Sequence, residues 1–109
     1  MAKQMNFNFE GKDYCLEYTR ETVRQMEREG VKPGDLLDKP MLTLPALFAG
    51  AFKAYHKYGT KPETIEKIFN SLKNKDALFE KLSEMYSAPM EEMLAEPEEG
   101  NAIAWEVNF

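Results

Sequence analysis

The chain has 109 residues, and its 14 Lys and Arg against 19 Asp and Glu give a formal net charge of −5. At about 100–200 residues per domain this length predicts one domain. With 43% hydrophobic and 30% charged residues, the composition is that of a folded globular protein and excludes a disordered one. One Cys and one His exclude a disulfide framework and a zinc site built from the Cys and His ligands of a single chain.

The first predicted element is a β-hairpin. Apolar and polar residues alternate over 5–10 and again over 13–18, and this period of two is typical of half-buried strands. A two-residue loop at Gly11-Lys12, with glycine first, favours a type II′ turn. The register that follows places the apolar residues opposite one another on one face: Phe9 with Tyr14, Phe7 with Leu16, and Met5 with Tyr18.

Two helices are predicted next. The first covers 20–29, with Thr19 as its N-cap. The second covers 44–58, with Thr43 as N-cap and Pro45 in the first turn, where proline is tolerated. Apolar residues of the second helix repeat at three and four residues, as one buried helix face does: Leu44, Leu47, Phe48, Ala51, Phe52 and Tyr55.

Two further helices complete the predicted helical part. Thr60 with Glu63 three residues later is typical of a capping box, and Pro62 suits a first turn. Asp76 is the predicted cap of the last helix, which Pro89 is expected to kink or end. Their buried stripes are Ile65, Ile68, Phe69 and Leu72 in one helix, and Leu78, Phe79, Leu82, Met85 and Tyr86 in the other.

The end of the chain differs from the rest. An acidic linker over 96–100 precedes an alternating run that is typical of a strand and contains the only Trp: Ile103, Trp105, Val107 and Phe109. This strand either joins the hairpin as a third strand or adds to a sheet edge or groove of another molecule. We therefore expect an α+β fold, with an N-terminal β-hairpin, three-stranded in the first case, packed with about four α-helices. Residues 1–95 form the predicted compact domain, and 96–109 form the linker and apolar strand.

No residue is assigned a catalytic role. His56 lies near the end of a predicted helix, outside the spacing of any catalytic or zinc motif. Cys15 has no neighbour in sequence that would activate a thiolate. The Glu pairs at 91–92 and 98–99 lack the alternating oxygen ligands of a calcium loop. We expect no enzyme activity, no cofactor and no metal.

Charge is unevenly distributed. The net charge is −1 over residues 1–52, +4 over 53–75 and −8 over 76–109. The lysines of the middle segment favour a solvated face or a docking patch for an acidic protein segment. Because the whole chain is acidic, a nucleic-acid partner is not expected.

Protein binding is the activity that the apolar residues favour. Small residues at Ala46, Gly50 and Ala54 allow close helix packing, either within the chain or between two copies as a homo-oligomer. Seven Met are many for this length, and thioether side chains fill core gaps or form adaptable binding surfaces. The predicted protein-binding residues are Phe48, Phe52, Met90, Met93, Ile103, Trp105, Val107 and Phe109.

Four features together resemble a known family. They are F-x-F-x-G-K-x-Y-x-L-x-Y from Phe7 to Tyr18, a short charged helix with Met26-Glu27, the small-residue-rich helix at 44–58, and the ending G-N-A-I-A-W-E-V over 100–107. The chain resembles small phage and prophage proteins of Gram-positive hosts that are similar to siphophage tail assembly chaperones. The similarity spans essentially the whole chain and carries no catalytic signature.

The resemblance implies a non-enzymatic function. Such chaperones bind the long, hydrophobic tape measure protein, keep it soluble, and help to recruit tail tube subunits around it. The alternative from the residues themselves is a small structural or adaptor protein that self-associates through its C-terminal strand. The start of the chain has no apolar signal-peptide core, and its longest apolar stretch, 41–52, is too short to cross a bilayer. The expected location is therefore the cytoplasm of a bacterial host, with no membrane partner.

Overall fold

The computed structural model describes residues 3–56 and 59–109. A hairpin of β1 and β2 precedes five α-helices and two short 3₁₀ turns, which confirms the α+β class. The elements are β1 Met5–Phe9, β2 Lys12–Leu16, α1 Arg20–Arg28, a 3₁₀ turn Pro33–Leu36, α2 Pro40–Gly50, α3 Lys53–His56, α4 Pro62–Ser71, α5 Lys75–Leu94, and a 3₁₀ turn Glu99–Asn101. Residues 57–58, the predicted end of the second helix, lie outside the described residues.

The hairpin forms, but its predicted register is wrong by two residues. Phe9 pairs with Lys12, and Phe7 with Tyr14, so the loop is Glu10-Gly11. Both loop residues have positive φ, +51° and +82°, as a type I′ turn requires. A two-residue shift keeps every side chain on the same face, which is why the alternation could not distinguish the two registers.

Polar contacts at the turn favour the observed register. Asn8 lies opposite Asp13 and donates from Nδ2 to its Oδ1 at 2.9 Å. The Asn8 Oδ1 also accepts from the Gly11 N–H at 3.2 Å. The predicted register would instead have placed the carboxylates of Glu10 and Asp13 opposite each other, so the observed one replaces a like-charge pair with two hydrogen bonds.

The helix α1 begins where the sequence predicts. Thr19 is its N-cap, and its Oγ1 accepts from the Thr22 N–H at 3.2 Å. The Thr22 Oγ1 in turn accepts from the Thr19 N–H at 2.8 Å, so the capping box is closed by a second threonine rather than a glutamate.

The second predicted helix begins earlier and is divided. It starts at Pro40, which occupies the first helical position, and Pro45 lies inside it. Pro40 and Pro45 both suit the first turn of a helix, and the sequence-based prediction took Pro45 as the first-turn proline. The helix stops at Gly50, and α3 resumes at Lys53.

The caps predicted for the last two helices are wrong. Lys61 is the N-cap residue of α4 and makes no side-chain cap bond, and the Thr60 hydroxyl is buried without a hydrogen-bond partner among the described residues. Asn74, in the left-handed conformation, precedes α5, so Asp76 lies inside the first turn. This helix continues through Pro89 to Leu94.

One apolar core joins the hairpin to the helices. Its fully buried side chains come from β2, α1, α2, the link between α2 and α3, α4 and α5, and the largest are Phe48, Phe52, Leu16, Met26, Leu47, Ile68 and Leu82. The Tyr18 hydroxyl donates to the Leu47 carbonyl inside this core. Leu47 is one of the last four residues of α2, whose carbonyls have no intrahelical partner, so a residue two positions after β2 caps the end of α2.

The C-terminal segment forms no third strand in the part of the chain that the structure describes. The only sheet there is the two-stranded hairpin, and residues 102–109 are exposed and belong to no helix or strand. The segment after α2 already runs beside β2, where the Glu17 N–H donates to the Ala51 carbonyl at 3.1 Å. Among the described residues, no helix has the length and apolar character needed to cross a membrane.

Candidate protein-binding surfaces

Large apolar side chains are exposed in three clusters, apart from Tyr55. The clusters are Leu37, Met41 and Leu42 at the start of α2, Met90, Met93 and Leu94 at the end of α5, and Ile103, Trp105, Val107 and Phe109 in the tail. Single exposed apolar side chains are ordinary on a soluble protein, but clusters of them mark interaction sites.

The first surface lies where α5 passes α1, and we call it the methionine surface. It is a shallow groove of about 250 Å³, lined by Arg20, Val23, Arg24, Glu27, Pro89, Met90 and Met93. The predicted binding residues Met90 and Met93 are 57% and 59% exposed. They lie three residues apart on α5 and so share one helix face, which gives the groove an apolar ridge beside two arginines.

The second surface lies between α2 and α4, and we call it the α2–α4 groove. Its volume is about 480 Å³, and it is lined by Met41, Pro45, Phe48, Ala49, Pro62, Ile65, Glu66, Phe69 and Asn70. The Phe48 and Phe69 rings meet edge to face with centroids 5.5 Å apart and form its floor. The Lys75 ammonium lies 5.7 Å from the centroid of Phe69, at one edge of the groove.

Two predicted binding residues belong to the core instead. Phe48 is 1% exposed and Phe52 is 2% exposed, and their rings meet edge to face at 5.2 Å. Phe52 also packs edge to face against Tyr14 at 5.9 Å. Burial corrects the assignment of Phe52 as a residue that contacts a partner, while Phe48 contributes only the floor of the α2–α4 groove. A buried helix face and a binding face have the same spacing, so the sequence could not separate them.

The four predicted binding residues of the tail are all exposed, as expected for a segment that binds a partner. Ile103, Trp105 and Phe109 are 86%, 81% and 106% exposed, and Val107 is also exposed. None of the four lines the methionine surface or the α2–α4 groove. The tail is therefore an apolar segment that its own chain leaves uncovered.

His56 has a structural contact that the sequence did not predict. Its Nε2 accepts a hydrogen bond from the Cys15 N–H at 3.0 Å, and its ring lies 5.2 Å from that of Tyr14. Burial, and then the negative charge of Glu17, raise the pKa of the Cys15 thiol. A thiol that stays protonated is a poor nucleophile.

A charged side chain of the basic middle segment contacts another part of the chain. Among residues 3–56 and 59–109, no three His, Cys, Asp or Glu side chains are grouped so that they could hold a metal ion. Of the basic middle segment, Lys53 pairs with Glu29 at 3.2 Å, and Lys57 lies outside the described residues. At Gly50 a Cβ atom would come within 2.5 Å of the Met26 side chain, so this small residue serves packing within the chain.

The whole chain, residues 1–109, matches the sequence family described as Domain of unknown function (DUF5055). The chain belongs to this family. No curated protein and no solved structure shows significant similarity to it. The resemblance to tail assembly chaperones stays a prediction, and the function of this DUF5055 chain has to be argued from its surfaces.

The α2–α4 groove is the feature of the DUF5055 chain that sequence reasoning missed. Starting the helix at Leu44 left Met41 in a loop and assigned Ile65 to a buried stripe. Pro40 was the signal that could have found the groove. A helix that starts there places Met41 and Pro45 four residues apart, on one face.

Proposed function

We propose that this protein is a non-enzymatic chaperone of phage or prophage tail assembly, which binds apolar segments of the tape measure protein and keeps them soluble in the host cytoplasm. The observation that carries the proposal is the methionine surface. The sequence resemblance supports the same function and extends it to the recruitment of tail tube subunits.

The chemistry of the methionine surface suits a helical segment. Met90, Met93 and Leu94 are exposed and spaced by three and four residues, which forms an apolar ridge along the end of α5. Flexible thioether side chains adapt to partners of different shape, as a chaperone for a long, repetitive apolar protein requires. An amphipathic helix would lay its apolar stripe against such a ridge.

The flanking charges define the preferred partner further. Arg20 and Arg24 border the groove on the α1 side, and Glu27 is its one acidic lining residue. Arg24 pairs with Glu21 at 3.3 Å on the exposed side of the helix, an ion pair that contributes little stability and can be exchanged. We therefore expect the bound segment to carry carboxylates beside its apolar stripe.

Co-expression tests this function directly. On this proposal the partner is a tape measure protein encoded in the same genome, and it is produced with the wild-type chain, with Met93→Glu, or with Leu37→Glu. Both variants place a carboxylate at an exposed apolar position, but Leu37 lines neither groove. Wild type and Leu37→Glu should raise the soluble yield of the tape measure protein and co-purify with it, and Met93→Glu should lose both effects. No gain in solubility with the wild-type chain overturns the proposal.

A second candidate function is self-association through the C-terminal segment, as in a structural or adaptor protein. The exposed tail favours it, because Trp105 alone presents about 150–250 Å² of surface that association could bury. Truncation after Gly100 tests it in the otherwise intact chain. An oligomeric wild-type chain whose truncated form is folded but monomeric supports the candidate, whereas an oligomeric state that truncation leaves unchanged contradicts it.

A further inference from the structure

Two apolar features of this chain are exposed and match each other in length and charge. They are the α2–α4 groove and the tail over 102–109. We infer that the tail of one copy binds in the α2–α4 groove of a second copy. This inference rests on the second candidate function, self-association, and supplies the acceptor site that it lacks. It does not depend on binding of a tape measure protein.

The dimensions of the tail and the groove agree. In an extended conformation, Trp105, Val107 and Phe109 would lie on one side of the tail and span about 13 Å at about 3.3 Å per residue. Helix α4, which forms one wall, has ten residues and is about 15 Å long at 1.5 Å per residue. Three side chains of the tail therefore match the length of the wall, and the aromatic floor of Phe48 and Phe69 suits the Trp and Phe rings.

The charge of the tail is opposite in sign to that of the α4 segment beside the groove. The tail and its linker, residues 96–109, carry four Glu and no Lys or Arg. Lys61 immediately precedes the lining residue Pro62, and the Lys75 ammonium lies over the ring of Phe69. Glu66 is the one acidic residue that lines the groove, and its charge repels the acidic tail. Over residues 61–75, which contain α4 and its flanks, four Lys against two Glu give a net charge of +2, and this positive segment facing an acidic occupant favours correct pairing and faster encounter.

We assign the tail of a second copy to the α2–α4 groove because the tail of the same chain does not lie in it. Trp105 is 81% exposed, although an apolar groove is present in the same chain. The described chain measures 56 × 33 × 25 Å with a radius of gyration of 16.6 Å, against about 13 Å for a compact chain of this length. An extended tail of this kind is placed for exchange between copies, and a reciprocal exchange closes into a two-fold dimer.

The test measures association of the full-length chain by sedimentation and the emission of Trp105, the only Trp. With rising concentration the wild-type chain should associate, and Trp105 emission should move to shorter wavelength as the indole leaves water. Trp105→Ala, and Met41→Glu at the exposed lip of the groove, should each weaken association at least about tenfold, as loss of a central interface contact does.

A charge reversal gives a gain-of-function test with a matched control. Glu66→Lys removes the acidic lining residue and should tighten association several-fold, whereas Glu63→Lys, an equal charge change in the first turn of the same helix, should have a smaller effect. Equal tightening by both variants would mean that net charge alone is responsible, and would overturn the groove assignment.

Mixing distinguishes exchange between copies from folding back. Trp105→Ala keeps an intact groove, and Met41→Glu keeps an intact tail, so a mixture has one complete interface and should associate where neither variant does alone. A monomer whose Trp105 is shielded would mean that the tail binds its own chain, and would refute the inference. Association that survives Met41→Glu refutes the groove but leaves self-association standing, and a monomer with exposed Trp105 at all concentrations refutes both.

Discussion

Two tyrosines that contact each other, the buried Tyr18 and the half-buried Tyr86, differ in whether the hydroxyl has a hydrogen-bond partner. Tyr18 and Tyr86 meet edge to face with centroids 5.1 Å apart. The Tyr18 hydroxyl donates to the Leu47 carbonyl, but the Tyr86 hydroxyl is buried with no hydrogen-bond partner among the described residues. Replacing each with phenylalanine removes one oxygen and leaves the ring contact, so the pair isolates the value of that bond.

The two substitutions, Tyr18→Phe and Tyr86→Phe, should change the free energy of unfolding by different amounts. Tyr18→Phe leaves the Leu47 carbonyl, at the end of α2, without its donor in a fully buried place, and this should lower the free energy of unfolding by about 1–3 kcal/mol. Tyr86→Phe removes a buried hydroxyl that has no partner, so it should change stability by less than about 0.5 kcal/mol or raise it slightly.

Urea unfolding, followed by far-UV circular dichroism, measures both variants. With a slope of about 1–3 kcal/mol per M, a loss of 2 kcal/mol moves the Tyr18→Phe midpoint down by about 1 M, with the slope itself unchanged. The Tyr86→Phe midpoint should stay near that of the wild type. A Tyr86→Phe variant that loses as much stability as Tyr18→Phe would refute this account of the core.

Three further predictions concern the hairpin and the buried phenols. Glu10→Asn should raise stability by about 0.5–1 kcal/mol in urea titrations, because Asn tolerates the positive φ of this turn position; a loss would contradict the type I′ turn. His56→Ala should lower it by about 1–3 kcal/mol, because the half-buried Cys15 N–H loses its acceptor; an unchanged midpoint would show that water replaces the imidazole. Burial, and then the neighbouring Tyr86, raise the pKa of Tyr18 above that of a free tyrosine. The stability that depends on its neutral form is therefore complete below pH 10 and is lost as the pH rises further. Tyr18→Phe should lose less stability than the wild type between pH 8 and pH 11, and equal losses would contradict the prediction.

Much of the fold could be predicted because local signals and tertiary packing agree. The alternation in the hairpin, the Thr19 cap of α1 and the apolar stripes of the later helices all appear in the structure. Two of the errors occur where two local signals are equivalent. Pro40 and Pro45 both suit a first turn, and two registers of the hairpin both keep the apolar face.

The candidate site was less predictable than the fold. Of the predicted binding residues, Met90 and Met93 lie on the surface, whereas Phe52, which was also predicted on the apolar face of its helix, lies in the core. Periodicity shows that a helix has an apolar face, but not whether that face meets the core or a partner. The α2–α4 groove needed the three-dimensional placement of two helices, and no pattern within one helix contains that information.

The bond between His56 and the backbone of Cys15 has a consequence for how the protein behaves among other chains. A two-stranded sheet has two open edges, and an open edge is a template for strand addition and aggregation. His56 and the Ala51 carbonyl take up amide groups of Cys15 and Glu17 along the outer side of β2. With these two amides occupied, β2 offers fewer free donors to an incoming strand, so strand addition to this sheet is favoured beside β1. The imidazole thus makes this edge a poorer template for pairing with another chain.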